Sequence, residues 1–104
     1  MITAIVLFQM PETTTREQAA AIFRQTAPRY RDLPGLVRKY YVFREGGQAG
    51  GVYLWSSREA AERAYGPQWR ALVAEKYGVE PTITYFETPV IVDNTPQAAG
   101  VTEE

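Results

Sequence analysis

The sequence predicts an α+β domain of the ferredoxin-like type, with a four-stranded antiparallel sheet and helices on one of its faces. Three observations predict it. Extended and helical patterns follow in the order β, α, β, β, α (broken), β, which the rules for chain connection resolve into that sheet. Two capping-box patterns, Thr14-Thr15-Arg16-Glu17 and Ser56-Ser57-Arg58-Glu59, mark where helices begin. The third is a β-hairpin, Gly35 to Glu45 and Ala49 to Trp55, with apolar or aromatic residues at both parities. Val37, Tyr41, Phe43, Tyr53 and Trp55 share one parity, and Leu36, Tyr40, Val42, Val52 and Leu54 share the other. A sheet exposed on one side alternates apolar with polar, so both faces are expected to be covered. Helices of the same chain cover one face, and 104 residues leave little for the other. A second copy of the chain could supply the missing cover.

Ile2 to Gln9 is β-branched and apolar, a buried first strand that Pro11 ends. The first helix starts with Thr14 as cap and Glu17 reaching back. It places Ala20, Phe23, Ala27 and Tyr30 on one face, and Pro28 is expected to kink it or end it near Thr26. Pro34-Gly35 turns the chain into the hairpin. The run from Glu45 to Gly51 reads as a loose, mobile hairpin tip, because it joins two strands and not a strand to a phosphate-cradling helix. Ala60, Ala61, Ala64 and Tyr65 form a short helix stopped by Gly66-Pro67. Pro67 opens another, whose stripe of Trp69, Leu72, Val73 and Tyr77 ends at Gly78. Val79 to Val92 is extended and interrupted by Pro89, with Ile83 and Tyr85 opposite Thr82, Thr84 and Phe86. Residues 1–92 are expected to be one domain and 93–104 a flexible tail.

Composition removes several function classes. A net charge of −1 with dispersed basic residues lacks the electrostatic footprint of a nucleic-acid binder. No apolar run approaches the roughly 20 residues that span a bilayer, so no membrane partner is expected. The opening Met-Ile-Thr-Ala-Ile-Val-Leu-Phe lacks a basic leader and continues as a strand, so it does not read as a signal peptide, and a cytoplasmic location is expected. The chain has neither cysteine nor histidine, which takes away disulfides, thiolate nucleophiles, histidine bases and the usual ligands of zinc, non-haem iron and haem. Any chemistry falls to Lys, Arg, Tyr, Trp and the carboxylates. No cofactor and no metal are expected.

Lys39 shares its parity with Val37, Tyr41 and Phe43 and faces a partner strand carrying Tyr53 and Trp55, so an amine sits among aromatic groups. If that face borders the space under the helices, desolvation lowers its pKa. The amine then serves as a base for a phenol, or as a cation beside the phenolate. The plainer alternative is a lysine that snorkels to a strand edge or pairs with Glu87 or Glu45. Tyr41, Tyr53, Trp55, Tyr65, Trp69 and Tyr85 can line a pocket for a flat ligand, or they can be plain core. Trp69 ranks first among them, because the Gly66-Pro67 junction can act as a lid. Arg38 and Arg44, at the other parity, suit a dimer interface or surface pairing, and Glu12, Glu17, Glu59 and Glu62 suit helix starts and solvated faces.

At Gly35-Leu36-x-x-Lys39-x-Tyr41 and Gly50-Gly51-Val52-Tyr53-Leu54-Trp55 the chain resembles a bacterial family described as monooxygenases, within the dimeric α+β barrel superfamily. The resemblance spans roughly residues 2–92. It implies two ferredoxin-like sheets packed back to back, the cover that the hairpin calls for. Haem degraders of that superfamily use a histidine ligand, and this chain has none. The branch that oxidises polycyclic substrates uses Trp, Tyr, Asn and Arg, and the only asparagine here is Asn94 in the tail. The resemblance implies a homodimer in which a phenol or hydroquinone binds among the aromatic groups, is deprotonated near Lys39 and reacts with dioxygen as a carbanion, with no cofactor. Three alternatives stand beside it: a noncatalytic dimer that binds a small apolar molecule, an isomerase or cyclase using the same pocket, and a purely structural dimer whose aromatic residues leave no cavity.

Overall fold

The computed structural model describes residues 1–95 and 100–103. Its elements are β1 (Ile2–Gln9), α1 (Arg16–Tyr30), β2 (Leu36–Phe43), β3 (Gln48–Trp55), α2 (Arg58–Ala64), α3 (Pro67–Tyr77), β4 (Thr82–Glu87), β5 (Val90–Asp93) and β6 (Gly100–Glu103). The antiparallel sheet has the order β2-β3-β1-β4, the ferredoxin-like arrangement expected from the sequence. The boundary expected at residue 92 falls inside β5. Residues 100–103, part of the segment read as a tail, pair with β5 as β6. The remainder of that segment, 96–99 and 104, lies outside the described residues.

Local signals set the helix ends, with small shifts of position. Thr15, not Thr14, caps α1: its hydroxyl accepts from the Gln18 N–H at 3.1 Å, and the Gln18 carbonyl accepts from the Thr15 N–H at 2.9 Å. Ser57 caps α2 by accepting from the Ala60 N–H at 3.2 Å, with no reciprocal partner because Ala60 stands where a box needs Glu or Gln. Pro28 does not end α1 near Thr26; the helix runs to Tyr30. The proline removes only the bond to the carbonyl of Arg24, on an exposed flank, while Tyr30 beyond it is anchored by the Trp69 indole at 2.9 Å. The buried stripe of α1 is Ala19 and Phe23, and Ala27 is exposed.

The hairpin departs from simple alternation at one point. β2 shifts register between Leu36 and Arg38, so that Leu36 stands opposite Trp55 and Arg38 opposite Leu54. Val37 is the extra residue of this bulge, and every side chain before it changes face. Leu36 packs on the core under the helices, and Val37, expected beside Lys39, is 52% exposed. The tip is also shorter and tighter than expected. Only residues 44–47 lie outside the strands; Met10 N–H bonds to Gly47 O at 2.8 Å and the Gln9 side chain to Gly46 O at 2.7 Å. Gly50 and Gly51 lie within β3.

Trp55, Tyr53, Tyr65, Trp69, Val6 and Val73 form the main core between sheet and helices, and Phe23, Met10, Ala19 and Ala49 form a second cluster toward the hairpin tip. Trp55 is fully buried, a burial that contributes roughly 3 kcal/mol. On the opposite face Ile5, Leu7, Val42, Val52 and Leu54 are only half-buried, and Tyr40 and Phe86 are 54% and 51% exposed. Among the described residues no helix is long and apolar enough to cross a membrane.

Candidate functional site

A cavity of about 510 Å³ opens between the sheet and helices α1 and α3. Its floor is Val6 of β1, Lys39 and Tyr41 of β2, and Gly50 and Tyr53 of β3; Thr26 and Tyr30 of α1 and Trp69, Val73 and Tyr77 of α3 form its walls. Gln25, Arg29, Glu75 and Lys76, all exposed, ring the mouth. Lys76 Nζ reaches the Gln25 side chain at 3.4 Å, bridging α3 to α1 at the rim.

Lys39 is the chemical centre of this space. Its Nζ lies 3.3 Å from the ring centroid of Tyr30, 3.8 Å from that of Tyr41 and 4.5 Å from that of Tyr53. Strand and helix share the construction. Tyr41 is two residues along β2 on the same face, Tyr53 is the register partner of Lys39 on β3, and Tyr30 is the last residue of α1. Neither Glu45 nor Glu87 pairs with the amine, and among the described residues no carboxylate forms an ion pair with it. Ring faces favour an ammonium, yet burial without a counter-ion outweighs them and brings the Lys39 amine down to about 6. Near neutral pH it is therefore largely a free base.

The surrounding phenols are held as neutral groups. Burial raises Tyr53 far above the usual phenol range and raises Tyr41 as well, and it pushes Tyr77 up to about 12. Thr26 donates its hydroxyl to Phe23 O at 3.1 Å, so the 2.7 Å contact between Thr26 Oγ1 and Tyr41 is a bond donated by Tyr41. Phe23 stacks on Tyr41 with centroids 4.6 Å apart, and Phe8 stacks on Tyr77 at 4.0 Å. The Trp69 indole N–H donates to the Tyr30 hydroxyl at 2.9 Å and ties α3 to α1 across the cavity wall. Trp69→Phe deletes that bond and replaces the buried indole with a smaller ring. It is expected to lower stability by about 2–3 kcal/mol, and to weaken ligand retention several-fold as Tyr30 loosens, read by thermal unfolding and ligand titration.

Of the residues expected at a site, Lys39, Tyr41, Tyr53 and Trp69 converge on the cavity. Trp55 and Tyr65 lie behind its wall, joined by a 3.0 Å bond from indole N–H to phenol oxygen, with the Trp55 ring nearly parallel to Tyr53. Tyr85 is half-buried at the far side of Tyr65, under the guanidinium of Arg58 at 4.3 Å. Tyr30, Thr26, Tyr77 and Phe8 belong to the site without having been singled out for it. The spacing of Thr26 and Tyr30 on one face of α1 carried that information, obscured by Pro28. Arg38 pairs on the surface with Asp93 at 3.0 Å, fastening β5 to β2. Among the described residues no group of three or more acidic side chains is placed to hold a metal ion.

No protein-family model and no functionally curated protein matches the sequence. Solved structures do. A monooxygenase from the gene ActVA-Orf6 of Streptomyces coelicolor, in complex with the ligand Nanaomycin D, is similar with a TM-score of 0.64 and 17% identity, over 84% of this chain and 86% of that one. Rv0793 from Mycobacterium tuberculosis is similar with a TM-score of 0.58 and 20% identity, over 85% of this chain and 95% of that one. At these identities the likeness is one of fold, and that fold is the ferredoxin-like α+β arrangement described above.

Proposed function

We propose that the protein is a cofactor-independent monooxygenase that oxidises a small phenol or hydroquinone in the Lys39 cavity, and that it works as a homodimer. The observation that carries this reading is an amine with no carboxylate partner among the described residues, caged by three tyrosine rings and lining a 510 Å³ space. In this scheme the amine takes the phenolic proton, and the anion delocalises onto ring carbon. That carbon bonds to dioxygen; the resulting peroxide loses water and leaves a carbonyl. The substrate supplies all four electrons, one oxygen atom enters the quinone and the other leaves as water. The protein sets one pKa, orients the ring and keeps water away from the anion. A monooxygenase of the same fold solved with Nanaomycin D supports oxygenase chemistry on this scaffold. The aromatic residues do not fill the space, which counts against a purely structural dimer.

Oxygen uptake by the metal-stripped protein against phenols, hydroquinones and anthrone-like compounds tests the reading, with Trp69 fluorescence followed in parallel. Saturable uptake is the expected result. Quenching without uptake would move the assignment to a binding protein or an isomerase using the same base.

The homodimer rests on the second sheet face, where half-buried Ile5, Leu7, Val52 and Leu54 lie among the exposed rings of Tyr40 and Phe86. The wild-type protein is expected to run at twice its 11.7 kDa chain mass. Phe86→Glu places a charge in that face, away from the cavity, and is expected to give a folded monomer by light scattering. The same reading keeps the cytoplasmic location expected from the sequence.

A further inference from the structure

We infer that Lys39 is a carbonyl-capturing amine, which forms an imine with flat aromatic aldehydes entering the cavity. This activity is separate from oxygen chemistry and does not depend on it. The amine lies 3.3, 3.8 and 4.5 Å from three aromatic centroids and has no hydrogen-bond or ion-pair partner among the described residues. A nucleophile in such a place has nothing to surrender before it attacks, and the ring faces that surround it also suit the arylidene group that the reaction leaves on nitrogen.

The step balances without an oxidant or a metal. The nitrogen lone pair adds to the carbonyl carbon, and a proton passes from nitrogen to oxygen to give the carbinolamine. Protonation of that hydroxyl releases water as the C=N bond forms. Neutral tyrosines, kept protonated by burial, do not compete as nucleophiles. The cavity at 510 Å³ is several times the roughly 100–150 Å³ of a one-ring aldehyde, well within the range of small-molecule pockets.

The sequence supplies its own control, because Lys39 and Lys76 are the only lysines, and Lys76 is exposed at the rim of the same cavity. The full-length protein is incubated with 4-hydroxybenzaldehyde and cyanoborohydride at pH 7, and peptide mapping measures the benzyl label at each lysine. Labelling of Lys39 is expected to exceed that of Lys76 by at least about tenfold, with the preference shrinking as the pH falls below about 6. Lys39→Met is expected to lose that label while keeping a cooperative thermal unfolding transition. Equal labelling of both lysines, or label on Lys76 and the N-terminus alone, would overturn the proposal. Labelling of Lys39 in a protein that consumes no oxygen would leave it standing while the oxygenase reading fell.

Discussion

Lys39→Met is expected to abolish turnover and to make the protein more stable. Removal of a general base lowers rates by about 10²–10⁴-fold, and no other amine or carboxylate among the described residues lines the cavity floor to replace it. The stability gain follows from linkage. Lys39 sits at about 6 in the folded protein against 10.5 for the free side chain. Between those values the folded state binds fewer protons than the unfolded state, so wild-type stability rises with pH across that window. The variant lacks this dependence. Its advantage is expected to be widest below about pH 6, to narrow steadily above it and to vanish near pH 10.5. Lys39 is only half-buried and the cavity can admit water, so the gain at pH 7 is expected to be roughly 1–3 kcal/mol, or about 5–15 °C in Tm. Thermal unfolding of both proteins at pH 5.5, 7, 9 and 10.5 reads the effect. A gap that widens with rising pH would mean that an anion partners the amine.

A destabilising residue is what a site looks like when local consistency gives way to chemistry. The folded chain keeps an amine among three tyrosine rings, and among the described residues no carboxylate pairs with it. The sequence showed Lys39 interrupting an aromatic strand at the parity of Tyr41 and Phe43, and left open whether that face borders the helices or the lysine reaches a strand edge. Fold order was legible because capping signals, the Gly66-Pro67 break and the hairpin are all local. The misread positions depend on contacts distant in sequence. A one-residue bulge at Val37 exchanges the faces of Leu36 and Val37, and no parity count reveals a bulge before the strands are paired. Trp55 and Tyr65 look identical in the sequence to Tyr53 and Trp69, yet the bond between them closes them into the core while the others border the cavity. Tyr30 joined the cage despite Pro28, because its anchor lies on α3, 39 residues away. Gly50 and Gly51 were counted as turn because glycine signals turns more often than close approach.

Those two glycines give the other large effect, and neighbouring substitutions are expected to fail in different ways. Gly50 has φ +154, in the region side chains rarely adopt, and a Cβ there would overlap the carbonyl oxygen of Val6 and stand 2.8 Å from the carbonyl carbon. Both atoms are backbone of β1, the central partner of β3, so neither yields without separating the strands. Gly50→Ala is expected to lose about 3 kcal/mol or more, a large share of the roughly 5–15 kcal/mol that holds a domain of this size together. A Cβ on Gly51 instead meets Tyr53 Cε1 at 2.8 Å, Lys39 Cε at 3.1 Å and the Tyr40 carbonyl oxygen at 3.3 Å, so the buried Tyr53 ring and the Lys39 side chain must shift while the strands stay paired. Gly51→Ala is expected to fold, with a stability loss of about 1–3 kcal/mol. Its consequence falls on the cage: the displaced amine moves toward water, its pKa rises, and the acid limb of the pH–rate profile shifts to higher pH with a loss of about tenfold in turnover at pH 7. Thermal unfolding of both variants by circular dichroism, followed by pH–rate profiles on Gly51→Ala, separates the two roles. A Gly50→Ala protein that unfolds at the wild-type temperature would mean that β1 and β3 can move apart at little cost. An unshifted profile in Gly51→Ala would mean that the Lys39 amine is not the titrating base.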